Sequence, residues 1–226
     1  MTPRFVIGDG YAMYRGPSTT GSPHRHAAFQ IVIGLDDAVA VEDAEGIRHQ
    51  ATALVVAPMA RHRLLDTTSA MIYFVEPHCA FADRLRRDYG TGITPAPELR
   101  DLGEDDVRPE GTRSSGDLDP RLVQALNALT ERGIPLPSLA ADVGLSPQRL
   151  RALARRQLGM PLARWRVWTR LRRAAEALQG GQSLAEAAIG AGFADQAHFT
   201  RQMREMMGLT PAAVLPLLHG QALRAT

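Results

Sequence analysis

Three histidines and a glutamine in the N-terminal half have the types and spacing for chemistry: His24, His26, Gln30 and His62. On an extended strand, residues i and i+2 project to one face, so His24 and His26 can line one pocket. Imidazoles that converge on a point bind a divalent metal, take part in metal-assisted oxidation or isomerisation, or hydrogen-bond to one another and to a ligand. A second set lies further along the chain. Gln148, Arg149, Arg151, Arg155 and Arg156 crowd one stretch, and Gln196, Ala197, Arg201 and Arg204 another. Arginine chelates guanine O6 and N7, and glutamine chelates adenine N6 and N7, both on the major-groove edge of DNA. His78-Cys79 is a weaker feature, a soft ligand or reactive thiol set against a buried or surface cysteine.

The elements that must position the second set form an internal repeat. Ser138 to Ser146 leads through Gly144 into a stretch with Leu150 and Leu153 that closes at Gly159. Ser183 to Gly190 leads through Gly192 and Phe193 into one with Phe199 and Met203 that closes at Gly208. Each reads as a short helix, a glycine turn and a longer helix, the form of a helix-turn-helix. Ser146 before Pro147 is an N-cap with proline at the first helical position. Ser183 with Glu186 is a capping box, and Asp195 caps the last long helix.

The periodicity predicts helices at 120–132, 138–144, 147–158, 161–178, 183–190, 195–207 and 211–218. Recognition helices read bases with their N-terminal residues, which makes Gln148, Arg151, Gln196 and Arg201 the base-readers. Arg149, Arg155, Arg156 and Arg204 are assigned to phosphates. The joining helix 161–178 spans roughly 27 Å at about 1.5 Å per residue. Such a rod can hold two units over successive major grooves, about 34 Å apart. Its Arg164, Arg166, Arg170, Arg172 and Arg173 extend the positive stripe, and Trp165 and Trp168 supply packing. Met203, Met206 and Met207 fall at core spacing.

Charge separates the halves. The 226 residues carry a net charge of only +2, and every one of the 26 basic residues is arginine. Residues 1–120 hold 12 arginines against 18 acids, whereas 121–226 hold 14 against 6. Nine arginines and no acid lie between Val143 and Ala175. A bundle with merely solvated arginines is the competing reading, and the duplicated units, matched caps and acid-free stretch argue against it. A single cysteine excludes a disulfide framework, and no apolar run is long enough to span a membrane. With no secretory h-region, the expected location is the cytoplasm. No Gly-x-Gly-x-x-Gly or Walker A sequence is present.

The first 78 residues carry short apolar runs at 5–7, 11–14, 29–35, 39–41, 54–56 and 71–75, punctuated by Gly, Pro, Asp and Ser. Many short strands between turns predict a sandwich or barrel. A helix follows from Ala80. Residues 91–119, with three prolines and the acidic cluster Glu104-Asp105-Asp106, read as a linker with a short helix at 97–103.

On these residues the C-terminal half resembles the AraC/XylS family of bacterial transcription regulators. The resemblance is carried by Leu-Ala-Ala-Asp-Val-Gly-Leu-Ser-Pro-Gln-Arg-Leu (139–150), Gly-Met-Pro (159–161), Ile-Gly-Ala-Gly-Phe-Ala-Asp-Gln-Ala-His-Phe-Thr-Arg (189–201) and Gly-Leu-Thr-Pro (208–211). It implies two helix-turn-helix subdomains on a long helix, binding promoter DNA and usually activating transcription. It places the base-facing sites on Gln148, Arg151, Ala152, Gln196, Ala197 and Arg201. Ala152 stands where the family usually has arginine, and Ala154 where it usually has phenylalanine.

Residues 1–78 resemble a small cupin barrel, through His24-Arg25-His26, Gln30 and Pro58-Met59-Ala60-Arg61-His62. The pattern there is His-x-His, a glutamate four residues on, and a later His after proline and glycine. Gln30 takes the carboxylate's position and Ala60 the glycine's, and an amide is a poorer metal ligand than a carboxylate. Pocket residues without metal are therefore favoured over a metal sensor, and that over an enzyme site.

The expected fold is α+β multidomain. A cupin-like β-barrel for sensing or oligomerisation (1–90) precedes a linker (91–119), an all-α DNA-binding domain (120–219) with units at 138–159 and 183–208, and a tail (220–226). The expected function is a non-enzymatic, ligand-responsive activator that reads two adjacent half-sites. Its partners are double-stranded promoter DNA, a small-molecule or metal effector at His24, His26, Gln30 and His62, RNA polymerase, and a second copy in a homodimer. The alternative is a cupin metalloenzyme or metal sensor fused to a DNA-binding domain.

Overall fold

The computed structural model describes residues 3–131 and 134–219. The tail expected at 220–226 lies outside them. The described strands are β1 (Arg4–Gly8), β2 (Tyr11–Ser18), β3 (Phe29–Gly34), β4 (Val39–Asp43), β5 (Arg48–Ala51), β6 (Ala53–Val56), β7 (His62–Leu64), β8 (Thr67–Val75) and β9 (Ile93–Pro95). Six form one antiparallel sheet in the order β1-β2-β8-β3-β6-β9, and three form a second in the order β5-β4-β7. The predicted barrel is thus two sheets, because β4, β5 and β7 pair only with one another among the described residues and no ladder closes. An isolated bridge joins His24 to His62.

Both faces of the larger sheet are covered, which is why β3 is a nearly continuous buried run. Phe29, Ile31 and Ile33 face one core, with Tyr73 and Val75 of β8. That core is closed by α1 (Ala80–Tyr89) through Phe81 and Leu85, and by α2 (Glu104–Gly111) through Val107. Val32, Leu54, Ile72 and Phe74 face the other way, toward Val39, Val41 and Leu64 of the smaller sheet.

The segment read as a linker is structured. Its β9 pairs with β6, Val56 opposite Ile93, and Pro97–Leu99 makes a 3-10 turn. Glu104, Asp105 and Asp106 form the first turn of α2, where carboxylates meet the positive end of the helix dipole. Ser115 and the Gly116 amide then bond to the Asp83 carboxylate of α1 at 2.5 and 2.8 Å. Prolines and acids gave this stretch a linker's composition, but its backbone donors are spent on the β-rich half.

The helical half comprises α3 (Pro120–Glu131), α4 (Leu136–Asp142), α5 (Pro147–Leu158), α6 (Leu162–Gln179), α7 (Leu184–Gly190), α8 (Gln196–Met207) and α9 (Pro211–His219). Trp165 of α6 is fully buried at its centre, and its Nε1 donates to the Leu126 carbonyl at 3.3 Å. No described helix is long and apolar enough to cross a membrane.

No gap separates the halves. Phe74 and Ile72 of β8 belong to the same buried cluster as Trp165, Trp168 and Leu171 of α6. The Phe74 and Trp168 rings lie 6.1 Å apart. Because this core is shared, Phe74→Ala should cost about 3–5 kcal/mol. Thermal unfolding followed by tryptophan fluorescence and by far-UV circular dichroism should show both signals falling together at a lower midpoint.

Candidate nucleic-acid interface, cavity and histidine cluster

The two long helices of the repeat are built alike. In α5 the Ser146 side chain accepts from the Arg149 amide at 3.2 Å, and Gly159 closes the helix at φ 68°. In α8 the Asp195 carboxylate accepts from the His198 amide at 2.6 Å, and Gly208 closes it, also at φ 68°. The preceding helix α7 has its capping box, Ser183 with Glu186. The first unit departs from its sequence reading at one point. Ser138 lies inside α4, which Pro135 and Leu136 begin two residues earlier.

Leu150, Leu153, Ala154 and Leu158 anchor α5, and Phe199 and Met206 anchor α8. Gln148, Arg149, Arg151, Ala152, Arg155 and Arg156 all face solvent, as do Gln196, Ala197, Arg201 and Arg204. None of these arginines forms an ion pair among the described residues.

The arginines of α6 behave differently. Arg164 pairs with Glu205 of α8 at 2.6 Å, and Arg166 donates to the Ile134 carbonyl. Arg172 points at the β-rich half, where it donates to Glu76 Oε1 at 3.0 Å and to the Gly8 carbonyl at 2.7 Å. Trp168 Nε1 donates to the same Glu76 oxygen at 3.1 Å. The expected positive stripe along α6 is therefore spent largely on contacts within the protein. Sequence reading missed Glu76, because nothing local distinguishes one acid at a strand end from a solvated one.

Glu76 and Arg172 are the charged groups at the wall of a cavity of about 400 Å³ between the larger sheet and α6, α8 and α9. Phe5, Tyr14, Phe74, Trp168, Met203 and Val214 form much of its apolar lining. A cavity of this size with few polar groups suits a small apolar ligand. None of His24, His26, Gln30 and His62 lines it.

Those four residues are nonetheless together and buried. One ring nitrogen of each histidine lies within 4.8 Å of the others. His24 Nε2 meets His26 Nε2 at 3.0 Å, and His62 Nε2 meets Gln30 Oε1 at 2.6 Å. Burial lowers all three imidazoles below the usual histidine range, His62 to about 3, so the cluster is neutral at pH 7. Neutral imidazole is the form that binds metal. Cys79 and His78 stand apart from it. Cys79 is buried, its thiol pushed up to about 11 by desolvation and its Sγ placed 3.2 Å from the Glu76 carbonyl. His78 packs against Trp165.

Residues 139–215 match the helix-turn-helix domain family. The bifunctional transcriptional activator/DNA repair enzyme Ada of Escherichia coli K12 is 34% identical over 80 residues, which are 35% of this chain and 23% of that protein. This chain therefore spans less than a quarter of that relative. Among solved structures, ToxT from Vibrio cholerae O395 covers 93% of this chain and 99% of its own, at 11% identity and TM-score 0.59. ToxT of strain SCE256 with bound unsaturated fatty acid covers 97% of both chains, at 13% identity and TM-score 0.59. An AraC-type DNA-binding protein from Chromobacterium violaceum covers 45% of this chain at 24% identity and TM-score 0.42. At these identities the ToxT likeness is one of fold, and it extends through both halves.

Two outcomes follow from the buried groups. Glu76→Ala takes away the carboxylate shared by Arg172 and Trp168 Nε1, leaves Arg172 with Glu176 at 3.0 Å and the Gly8 carbonyl, and should cost about 1–3 kcal/mol in urea denaturation. Cys79 should resist iodoacetamide at pH 8 in the native protein and react promptly once unfolded; fast native labelling would contradict its burial.

Proposed function

Taking this chain as a DNA-binding transcriptional regulator of the AraC type, we propose that it is a ligand-responsive activator reading two adjacent half-sites. The observation that carries the reading is the pair of solvent-facing Gln/Arg surfaces on α5 and α8, unpaired within the described protein while α6 turns its arginines inward. Gln148, Arg151, Ala152, Gln196, Ala197 and Arg201 meet base edges, where the two alanines contact thymine methyls. Arg149, Arg155, Arg156 and Arg204 hold phosphates and set register. Ala152 gives the first helix one fewer cation than its family pattern, so α8 carries more of the base reading.

The effector in this reading is a small apolar molecule in the cavity between the sheet and α6, α8 and α9. Its size and lining support that class, and so does the naming of a ToxT structure as bound to an unsaturated fatty acid. An anionic head on such a ligand competes with Glu76 for Arg172. The site is then one of binding, not catalysis, and the protein works in the cytoplasm. As an activator it contacts RNA polymerase, and two copies on neighbouring sites form a homodimer; a relative named a transcriptional activator supports that sense of control. Of the rival reading, a metalloenzyme or metal sensor fused to a DNA-binding part, the metal-sensing half is favoured by the three convergent imidazoles. The enzyme half has no carboxylate in that group.

The test begins with selection of a binding sequence from random duplexes by the full-length protein. On that sequence Arg151→Ala and Arg201→Ala should each lose about 1–3 kcal/mol in fluorescence anisotropy, with little loss on random DNA. Arg155→Ala should weaken both equally and flatten the salt dependence by about one unit of slope. Equal losses on both duplexes for Arg151 and Arg201 would reassign them to phosphate.

A further inference from the structure

Three arginines of α6 are left without a counter-charge once its contacts with the β-rich half are made. Arg166, Arg170 and Arg173 follow one another at spacings of four and three residues. Their side chains therefore share one face of the helix, roughly 5–6 Å apart at Cβ. All three are half-buried. Arg166 donates to the Ile134 carbonyl, just ahead of α4. Arg170 lies against the turn between α7 and α8, where a methyl group on Gly192 would fall 3.5 Å from its Nε. Arg173 has a buried Nε with no hydrogen-bond partner. This face of α6 thus sits at the joint between the two helix-turn-helix units.

Among the described residues no carboxylate pairs with these three. Glu205 is taken by Arg164 and Glu76 by Arg172, and Glu176, three residues past Arg173, gives its Oε1 to Arg172 at 3.0 Å. Residues 1–2, 132–133 and 220–226, which complete the chain, include no Asp or Glu. Burial lowers Arg166 and Arg173 below the usual arginine range, and the charge of Arg170 lowers both further; Glu176 opposes this in part for Arg173. Arginine does not lose its proton in a folded protein, so the group cannot escape its repulsion by turning neutral. An anion can remove it. Phosphate suits the geometry best, because guanidinium forks from several directions can each take a pair of its oxygens, whereas a carboxylate offers one plane and one charge.

We propose that Arg166, Arg170 and Arg173 form a phosphate site at the joint between the two helix-turn-helix units, and that an occupied site stabilises the helical half. Arg166 keeps one amino group on the Ile134 carbonyl and has donors to spare for the phosphate. The buried Nε of Arg173 gains the acceptor it lacks. The phosphate has two possible sources. One is the DNA backbone between the half-sites, which the joining helix must cross; the other is free phosphate or a phosphorylated small molecule. The first source rests on the proposed DNA reading, and the second does not.

The experiment titrates the full chain with inorganic phosphate against chloride at constant ionic strength, and reads the thermal midpoint and the phosphorus NMR linewidth of the phosphate. A saturable rise in midpoint at millimolar phosphate, with line broadening, is expected. Arg170→Gln should abolish both and, by removing a like charge, raise the midpoint in chloride alone. Arg170→Lys keeps the charge but not the fork, so it should weaken the response while the chloride midpoint stays near that of the parent. Arg173→Gln should also abolish the response, and it serves if Arg170→Gln fails to fold. Binding to the selected duplex in phosphate-free buffer separates the sources. A backbone phosphate in the site predicts that Arg170→Gln flattens the salt dependence by about one unit of slope. A free phosphate predicts an unchanged slope beside an abolished phosphate response. Stabilisation by phosphate merely as an excluded salt would survive both substitutions and overturn the site. Absence of any saturable response together with an unchanged slope would overturn it too. The phosphate titration contains no DNA, so failure of Arg151 and Arg201 to read bases would show separately, in the duplex assay.

Discussion

The carboxylate of Glu76 is buried at the end of β8, where water cannot solvate it, and α6 answers it with Arg172 and the indole N–H of Trp168. A buried ion pair contributes little net stability against an apolar substitute, but either charge left alone is strongly destabilising. The consequence is geometric. The long helix that joins the two helix-turn-helix units is held where Arg172 reaches both Glu76 and the Gly8 carbonyl. Phe74 and Trp168 meet within a buried apolar cluster that both halves share, while the polar contacts fix the register. The spacing and aim of α5 and α8 thus depend on a residue in the sheet.

The helical half was legible in the sequence because its signals are local. Ser146-Pro147, Ser183 with Glu186, Asp195, and the glycines at 159 and 208 mark starts and stops through bonds made within one turn. Apolar positions three and four residues apart then give the faces directly, and the solvent-facing Gln and Arg residues follow by subtraction. The β-rich half was legible as strands but not as an arrangement, since pairing partners lie far apart in the chain. The short strands Arg48–Ala51, His62–Leu64 and Ile93–Pro95 carry polar residues or proline and give little period-2 signal. The three histidines were found as a group because His-x-His sits at a spacing that aligns side chains. Their contact with the end of α8 was invisible, for it joins residues 24 and 208. The inward turn of Arg164 and Arg172 was invisible for the same reason; an arginine declares its charge, not its partner.

The two helix-turn-helix units are consequently not equivalent, despite their matched length and caps. The first long helix, α5, packs against α3, α4 and α6 and lines neither the cavity nor the histidine cluster. The second, α8, contributes Phe199, Met203 and Met207 to the cavity wall, pairs Glu205 with Arg164, and ends on Ser22 and His24. An effector changes an equilibrium only by the difference in its affinity for two states. A ligand in the cavity can discriminate between positions of α8 because it would touch it, whereas α5 lies off the cavity and meets the rest of the protein through α3, α4, α6 and the Asp119 amide, which donates to Gln157 Oε1 at 2.9 Å. In the proposed function, control by the β-rich half therefore falls first on the second unit. On the same proposal, DNA that holds α8 in one position changes the cavity's affinity for its ligand by the factor by which the ligand changes the affinity for DNA.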